Sequence, residues 1–204
     1  MTHRTTAAAI ALFAILLGAA QASAEKVDFA WLSIAPKIGY LCQSKGELEK
    51  TYHTEISHRH GVVFKGHVDI GGDKWALEIA PIYAFEGCKP PVDNLHAFGG
   101  EASVVYRFGR NTVYPHIGLG FHGTYLFKND NIHSGAELFG RVPLGVTWYF
   151  VKYLGLILEG GFMFGGTGIH FKPNPDDKVI NNISEDMQYA FTLGFDLLIG
   201  LRFP

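Results

Sequence analysis

Ten histidines are spread along the 204 residues, and a few stand where they could do chemistry. His58 and His60 form a His-x-His pair with His53 just upstream, an arrangement in which imidazoles could share a metal ion. No cysteine or carboxylate beside them completes a zinc spacing, so no metal ligands are assigned. His133 and Ser134 adjoin, and His96 and His170 are further pieces of a conceivable hydrolytic centre. Such a centre needs a nucleophile, a base and an orienting acid held together. Neighbours in a strand point to opposite faces, and no compact His-x-Ser with a placed acid occurs. No catalytic residue and no cofactor is assigned. Asp176-Asp177 and Glu185-Asp186 could attract calcium or magnesium, or simply solvate their link.

The charged residues are more informative than the histidines. Lys37, Lys65, Glu78, Glu101, Arg107, Glu137, Arg141, Glu159, Asp196 and Arg202 each occupy the alternate position of a strand whose other face is apolar. The last stretch, YAFTLGFDLLIGLRFP, is the clearest case. Tyr189, Phe191, Leu193, Phe195, Leu197, Ile199, Leu201 and Phe203 share one face, with Ala190, Thr192, Gly194, Asp196, Leu198, Gly200 and Arg202 between them. A period of two is the signature of a strand with two different environments.

The same alternation predicts seven earlier strands, over about 31–41, 60–70, 74–86, 95–108, 112–127, 136–150 and 153–171. Their links alternate in length. Gly71-Gly72-Asp73, Gly109-Arg110-Asn111 and Val151-Lys152 are tight turns, whereas about 43–59, 87–94, 128–135 and 172–186 are longer and polar. An even number of strands with short turns at one end and long loops at the other predicts an all-β, eight-stranded antiparallel up-and-down transmembrane barrel. The short turns would face the periplasm and the long loops the outside. A soluble barrel of the lipocalin kind is the competing fold, with its apolar face inside. Trp, Tyr and Phe near the strand ends are too many for one small interior and suit the girdles at two membrane interfaces.

The composition agrees. Apolar residues make up 48% of the chain, with 25 Gly, 16 Phe and 9 Tyr, and glycine interrupts every candidate helix. Arg4, the apolar run Ala7 to Ala20 and the small residues Ala22-Ser23-Ala24 read as a secretory signal peptide, residues 1–24. That run is shorter than the roughly 20 residues of a membrane helix. Residues 25–204 are then the barrel domain, with a net charge near -3 that offers no basic surplus for nucleic acid. Bacterial-type export leaves the acceptor-like Asn182-Ile183-Ser184 uninformative.

An eight-stranded barrel is just wide enough for its own side chains. Its inner acids and bases must pair or hold water, since burying them singly would be prohibitive. Glu78, Glu101, Glu137 and Glu159 are expected to meet Lys65, Arg107 and Arg141 in a polar plug, which argues against a general porin. Gly99, Gly118, Gly120, Gly145, Gly161 and Gly194 would leave room for long basic stems. His116 and His122 point inward as satisfied core histidines. Cys42 and Cys88 lie just beyond the first and third strands, where an exported chain could join them in one disulfide or leave two thiols.

The strand count, the two sets of links and the closing YAFTLGFDLLIGLRF resemble the small outer-membrane barrels grouped with the membrane domain of OmpA, the OmpX/Ail adhesins and the opacity-type proteins. The resemblance covers about residues 30–203. It implies the outer membrane of a Gram-negative bacterium, after cleavage near Ala24. The implied partners are outer-membrane lipid, lipopolysaccharide, the outer-membrane assembly machinery and an extracellular ligand at the loops; self-association is left open. That machinery generally favours an aromatic last residue, and here Phe203 is followed by Pro204. No peptidoglycan-binding domain is expected after the eighth strand. Members of the group differ in role, so the reading is a non-enzymatic envelope barrel serving structure or surface contact. A lipid A acyl hydrolase or transferase is the first alternative and a narrow solute channel the second.

Overall fold

The computed structural model describes residues 31–45, 58–87, 94–109, 112–127, 132–171 and 188–204. These residues form eight strands: β1 (Leu32–Lys45), β2 (His58–Gly71), β3 (Trp75–Gly87), β4 (Leu95–Arg107), β5 (Val113–Leu126), β6 (Ile132–Val151), β7 (Leu154–Phe171) and β8 (Gln188–Arg202). Each pairs antiparallel with the next, and β8 returns to β1, from Lys37 opposite Gly200 to Lys45 opposite Thr192. Closure leaves no unpaired edge, which a sheet immersed in hydrocarbon requires.

The shortest strands have 13 residues and the longest 20. At about 3.4 Å per residue and a tilt of about 35–45°, even the shortest rises past an apolar band about 25 Å tall. Several strands run beyond the bounds the alternation alone predicts. β1 continues to Lys45, β2 begins at His58 and β6 begins at Ile132, so His133 and Ser134 belong to a strand rather than to the link 128–135. Backbone pairing persists after the apolar pattern fades, because a ladder needs only a partner strand.

At the first tight turn, Gly71 N–H donates to Trp31 O and Gly72 N–H donates to Trp75 O, each at 2.8 Å. Gly71 has φ +152°, and a Cβ there would stand 2.3 Å from Trp75 O, so only glycine fits the corner.

Burial alternates along the strands, apart from the loop ends of β6 and β7, and the charged residues are inside. Thirteen Asp, Glu, Lys and Arg side chains on the strands are buried. Of the strand residues whose side chains are described, none of these four types faces out. The outside instead exposes 37 large apolar side chains, far more than the few hundred Å² of apolar patch a soluble monomer tolerates. Ile34, Ile38, Phe64, Ile79, Val104, Leu119, Leu144, Phe195 and Leu197 are among them. At the turn end Trp75 and Tyr106 pack with ring centres 4.8 Å apart, and Trp148 meets Phe150 at 6.2 Å. At the loop end Tyr125 meets Phe127 at 5.8 Å and Phe85 meets His96 at 5.0 Å. An apolar band between two aromatic girdles is the surface of a transmembrane β-barrel, and the soluble-barrel alternative falls with it.

Candidate functional site: a charged network filling the barrel

The inward positions of all eight strands converge on the barrel axis, where acids and bases from opposite walls meet. Three groups follow one another from the turn end to the loop end.

At the turn end, Asp69 accepts hydrogen bonds from Ser33 Oγ at 3.0 Å and Arg107 Nη2 at 3.0 Å, and Arg202 Nη2 lies 2.5 Å away. Glu78 accepts from Arg202 Nη2 at 2.8 Å and Arg107 Nη2 at 3.4 Å, with His67 Nδ1 at 3.1 Å. Arg202 also donates to Thr147 Oγ1 at 3.2 Å, and Arg107 to the Gly72 carbonyl at 3.3 Å. Lys37 leads into the next group, its Nζ 3.6 Å from Glu78 and 2.6 Å from Glu159.

The middle group is built around Arg141 of β6. Its Nη1 donates to Glu101 at 2.7 Å, its Nη2 to Glu159 at 2.8 Å and Asp196 at 2.7 Å, and its Nε to Asp196 at 3.1 Å. Lys65 bridges the same acids, donating to Glu101 at 2.7 Å and Asp196 at 2.6 Å. His116 Nε2 stands 3.1 Å from Glu159, Ser103 Oγ donates to Glu101 at 3.3 Å, and His122 Nδ1 lies 3.7 Å from Glu101.

Glycines make the space for these groups. A Cβ on Gly161 would lie 2.4 Å from Arg141 Nε and 2.5 Å from Asp196 Oδ1. One on Gly145 would lie 2.7 Å from the His116 ring.

At the loop end, Glu137 is held by Arg59 Nη2, by Thr124 Oγ1 at 3.0 Å, by Thr167 Oγ1 at 3.2 Å and by Gln43 Nε2 at 3.5 Å. Arg59 also reaches Gln43 Oε1 at 2.5 Å and Glu86 at 3.2 Å. Buried Leu41, Val63, Phe139 and Met163 separate this group from the middle one, each lying between polar inward residues of its own strand.

Removing an ion from water into a low-dielectric interior costs several kcal/mol, and only good geometry with several partners offsets it. The three carboxylates around Arg141 meet that condition, each held by at least two donors.

The chain is built like proteins known to sit in such membranes. Among solved structures, Neisserial surface protein A superposes with a TM-score of 0.53 at 15% identity, over 85% of this chain and 97% of that one. The outer membrane protein OprG from Pseudomonas aeruginosa gives 0.51 at 14%, over 88% and 98%. AlkL, an outer membrane protein solved in DMPC lipid bilayers, gives 0.57 at 12%, over 89% and 93%. The fold is that of the small outer-membrane β-barrels. At these identities the likeness extends to the fold alone. No protein-family model and no curated protein matches the sequence.

Within this barrel, Lys37, Lys65, Glu78, Glu101, Arg107, Arg141, Glu159, Asp196 and Arg202 join one continuous set of contacts, and Glu137 lies in the separate loop-end group. Sequence reasoning omitted Arg59 and Glu86 from the network, though each keeps the inward parity of its strand. His116 and His122 point inward as expected, and with His67 they face carboxylates of the network. Cys42 is at the loop end of β1, and its conceivable partner Cys88 lies outside the described residues, as do His53, Asp176, Asp177, Glu185, Asp186 and the segment 1–24. His58 begins β2. The pieces of the hydrolytic alternative fall on the outward rim. Among the described residues, Ser134 has no hydrogen bond to His133 or His170, and His96 Nδ1 lies 2.6 Å from the Tyr83 hydroxyl instead.

Proposed function

We propose that this protein is an exported barrel of the Gram-negative outer membrane, freed of residues 1–24, which holds its loops at the cell surface and serves envelope structure or surface contact. The observation that carries this reading is the filled interior. Arg141, at 0% exposure, joins Glu101 of β4 to Asp196 of β8, four strands apart in the closed order, and also binds Glu159 of the adjacent β7, so the lumen at its level is occupied by charge-paired side chains. A wall-to-wall network of this kind supports a rigid support for loops over a solute pathway. Lipid and lipopolysaccharide around the apolar band, and the assembly machinery that inserts such barrels, are the partners the reading brings with it.

The test is expression of the full precursor in a Gram-negative host. The chain should start at Glu25, co-sediment with washed outer membranes and run faster on a gel unheated than boiled. External protease should cut in the long links of intact cells. A full-length precursor in the inner membrane, or a soluble periplasmic product, would overturn the reading.

A further inference from the structure

Four histidines stand on the outward face at the loop end of the barrel: His60, His96, His133 and His170. Two of them sit beside tyrosines. His96 is bonded to Tyr83 and packs on Phe85, and the His60 ring lies 6.3 Å from that of Tyr40. His133 and His170 instead face each other across the β6–β7 seam, with ring centres 5.0 Å apart and planes inclined by 41°. Among the described residues, no hydrogen-bond partner occupies either ring.

The register explains the meeting. Ser134 is paired with His170, and Ile132 with Phe171, so His133 is an extra residue inserted between two rungs. A bulge of this kind breaks the alternation and re-aims a side chain, and bulges concentrate at barrel rims and beside sites. Here it exposes His133 next to a partly exposed Ser134 and turns its ring towards His170.

Two rings at this separation match a shared metal ion. Imidazole nitrogen binds Zn²⁺ at about 2.0–2.1 Å, so a tetrahedral ion between two rings sets their centres about 5 Å apart. Purely imidazole donors suit copper, nickel and zinc rather than magnesium or calcium, and Cu²⁺ heads the divalent order.

We propose that His133 and His170 form a two-imidazole site for a divalent transition metal, Cu²⁺ or Zn²⁺, with water in the remaining positions. The bound ion clamps β6 to β7 at their outer ends. Because both ligands must be brought together by folding, the ion stabilises the folded barrel. The buried trio His67, Asp69 and Glu78 also has ligand atoms within 4.8 Å of one another. Its carboxylates are already held by Lys37, Arg107 and Arg202, and a dication would enter against three fixed positive charges.

The experiment uses the mature chain without an affinity tag, folded in detergent and titrated with Zn²⁺ by calorimetry and with Cu²⁺ by electron paramagnetic resonance. Loss of an outer partner of a metal ligand costs about 10–100-fold in affinity, so loss of a ligand should cost at least about tenfold. His133→Ala and His170→Ala should each show that loss, and the Cu²⁺ spectrum should lose nitrogen coupling. His96→Ala should match the unaltered protein, and the faster unheated gel mobility certifies that each variant is folded. Metal should raise the unfolding temperature of the unaltered protein but not of the double variant. The proposal is overturned if the folded double variant binds as tightly as the unaltered chain. It is equally overturned if affinity depends on His58 or His60 instead.

Discussion

Arg141 on β6 and Asp196 on β8 meet through two hydrogen bonds, Nη2 at 2.7 Å and Nε at 3.1 Å, across the bare backbone of Gly161 on the strand between them. A side chain at position 161 would occupy the place where they touch. Strand order, glycine and ion pair are therefore one device: β7 stays between the partners and yields its inward volume to them.

Arg141→Met should be strongly destabilising. It removes one base from contact with Glu101, Glu159 and Asp196, leaving three buried acids to Lys37, Lys65 and the histidines. Breaking a buried pair by removing one partner costs about 3–5 kcal/mol. Urea unfolding from lipid vesicles should show a loss of that size, and Arg141→Lys should recover only part of it because one ammonium cannot span three carboxylates.

Gly161→Ala and Gly160→Ala form a contrasting pair on adjacent residues. The first pushes a methyl group into Arg141 and Asp196, and overpacking of this kind costs about 1–3 kcal/mol. The second points outward, where the nearest atom is 3.7 Å away, and should leave stability nearly unchanged. Equal effects in the same unfolding assay would contradict the assignment of faces.

The loop-end group should be energetically separate from the middle one. A double-mutant cycle on Arg59 and Glu137 is predicted to show coupling above about 1 kcal/mol, whereas Arg59 and Glu101 should be additive within about 0.5 kcal/mol. The apolar layer of Leu41, Val63, Phe139 and Met163 is the reason.

Leu197→Arg tests the opposite face. Leu197 is 54% exposed beside the middle network, at the level of the apolar band. A basic residue facing lipid near the bilayer centre costs about 2–4 kcal/mol. A soluble protein would accept the change at its surface, so the loss should appear in vesicle unfolding.

Period-two patterning was enough to read the strands and their two faces, because inside and outside differ so sharply here. Asp196 between Phe195 and Leu197 could have only one orientation. The strand ends were harder. Arg59 and Glu86 keep the inward parity, but they border polar links where alternation no longer contrasts with its surroundings. Which acids meet Arg141 depends on the stagger between β4, β6, β7 and β8, which no single strand encodes: Glu101 and Glu159 belong to the expected set of acids, whereas the contact with Asp196 does not follow from any one strand. His133 and Ser134 fall within β6 and not in the link 128–135 for a related reason: the bulge between Ile132 and Ser134 interrupts the alternation there, so the period-two pattern does not extend over the start of the strand.

The central claim is that side-chain ion pairs fill this barrel. Planar-bilayer recording on the folded mature chain tests it most directly. The network predicts no sustained open steps from the unaltered protein, with conductance appearing when Arg141 and Lys65 are both shortened to alanine in a barrel that still shows unheated gel mobility. Steady open steps from the unaltered barrel would contradict the claim.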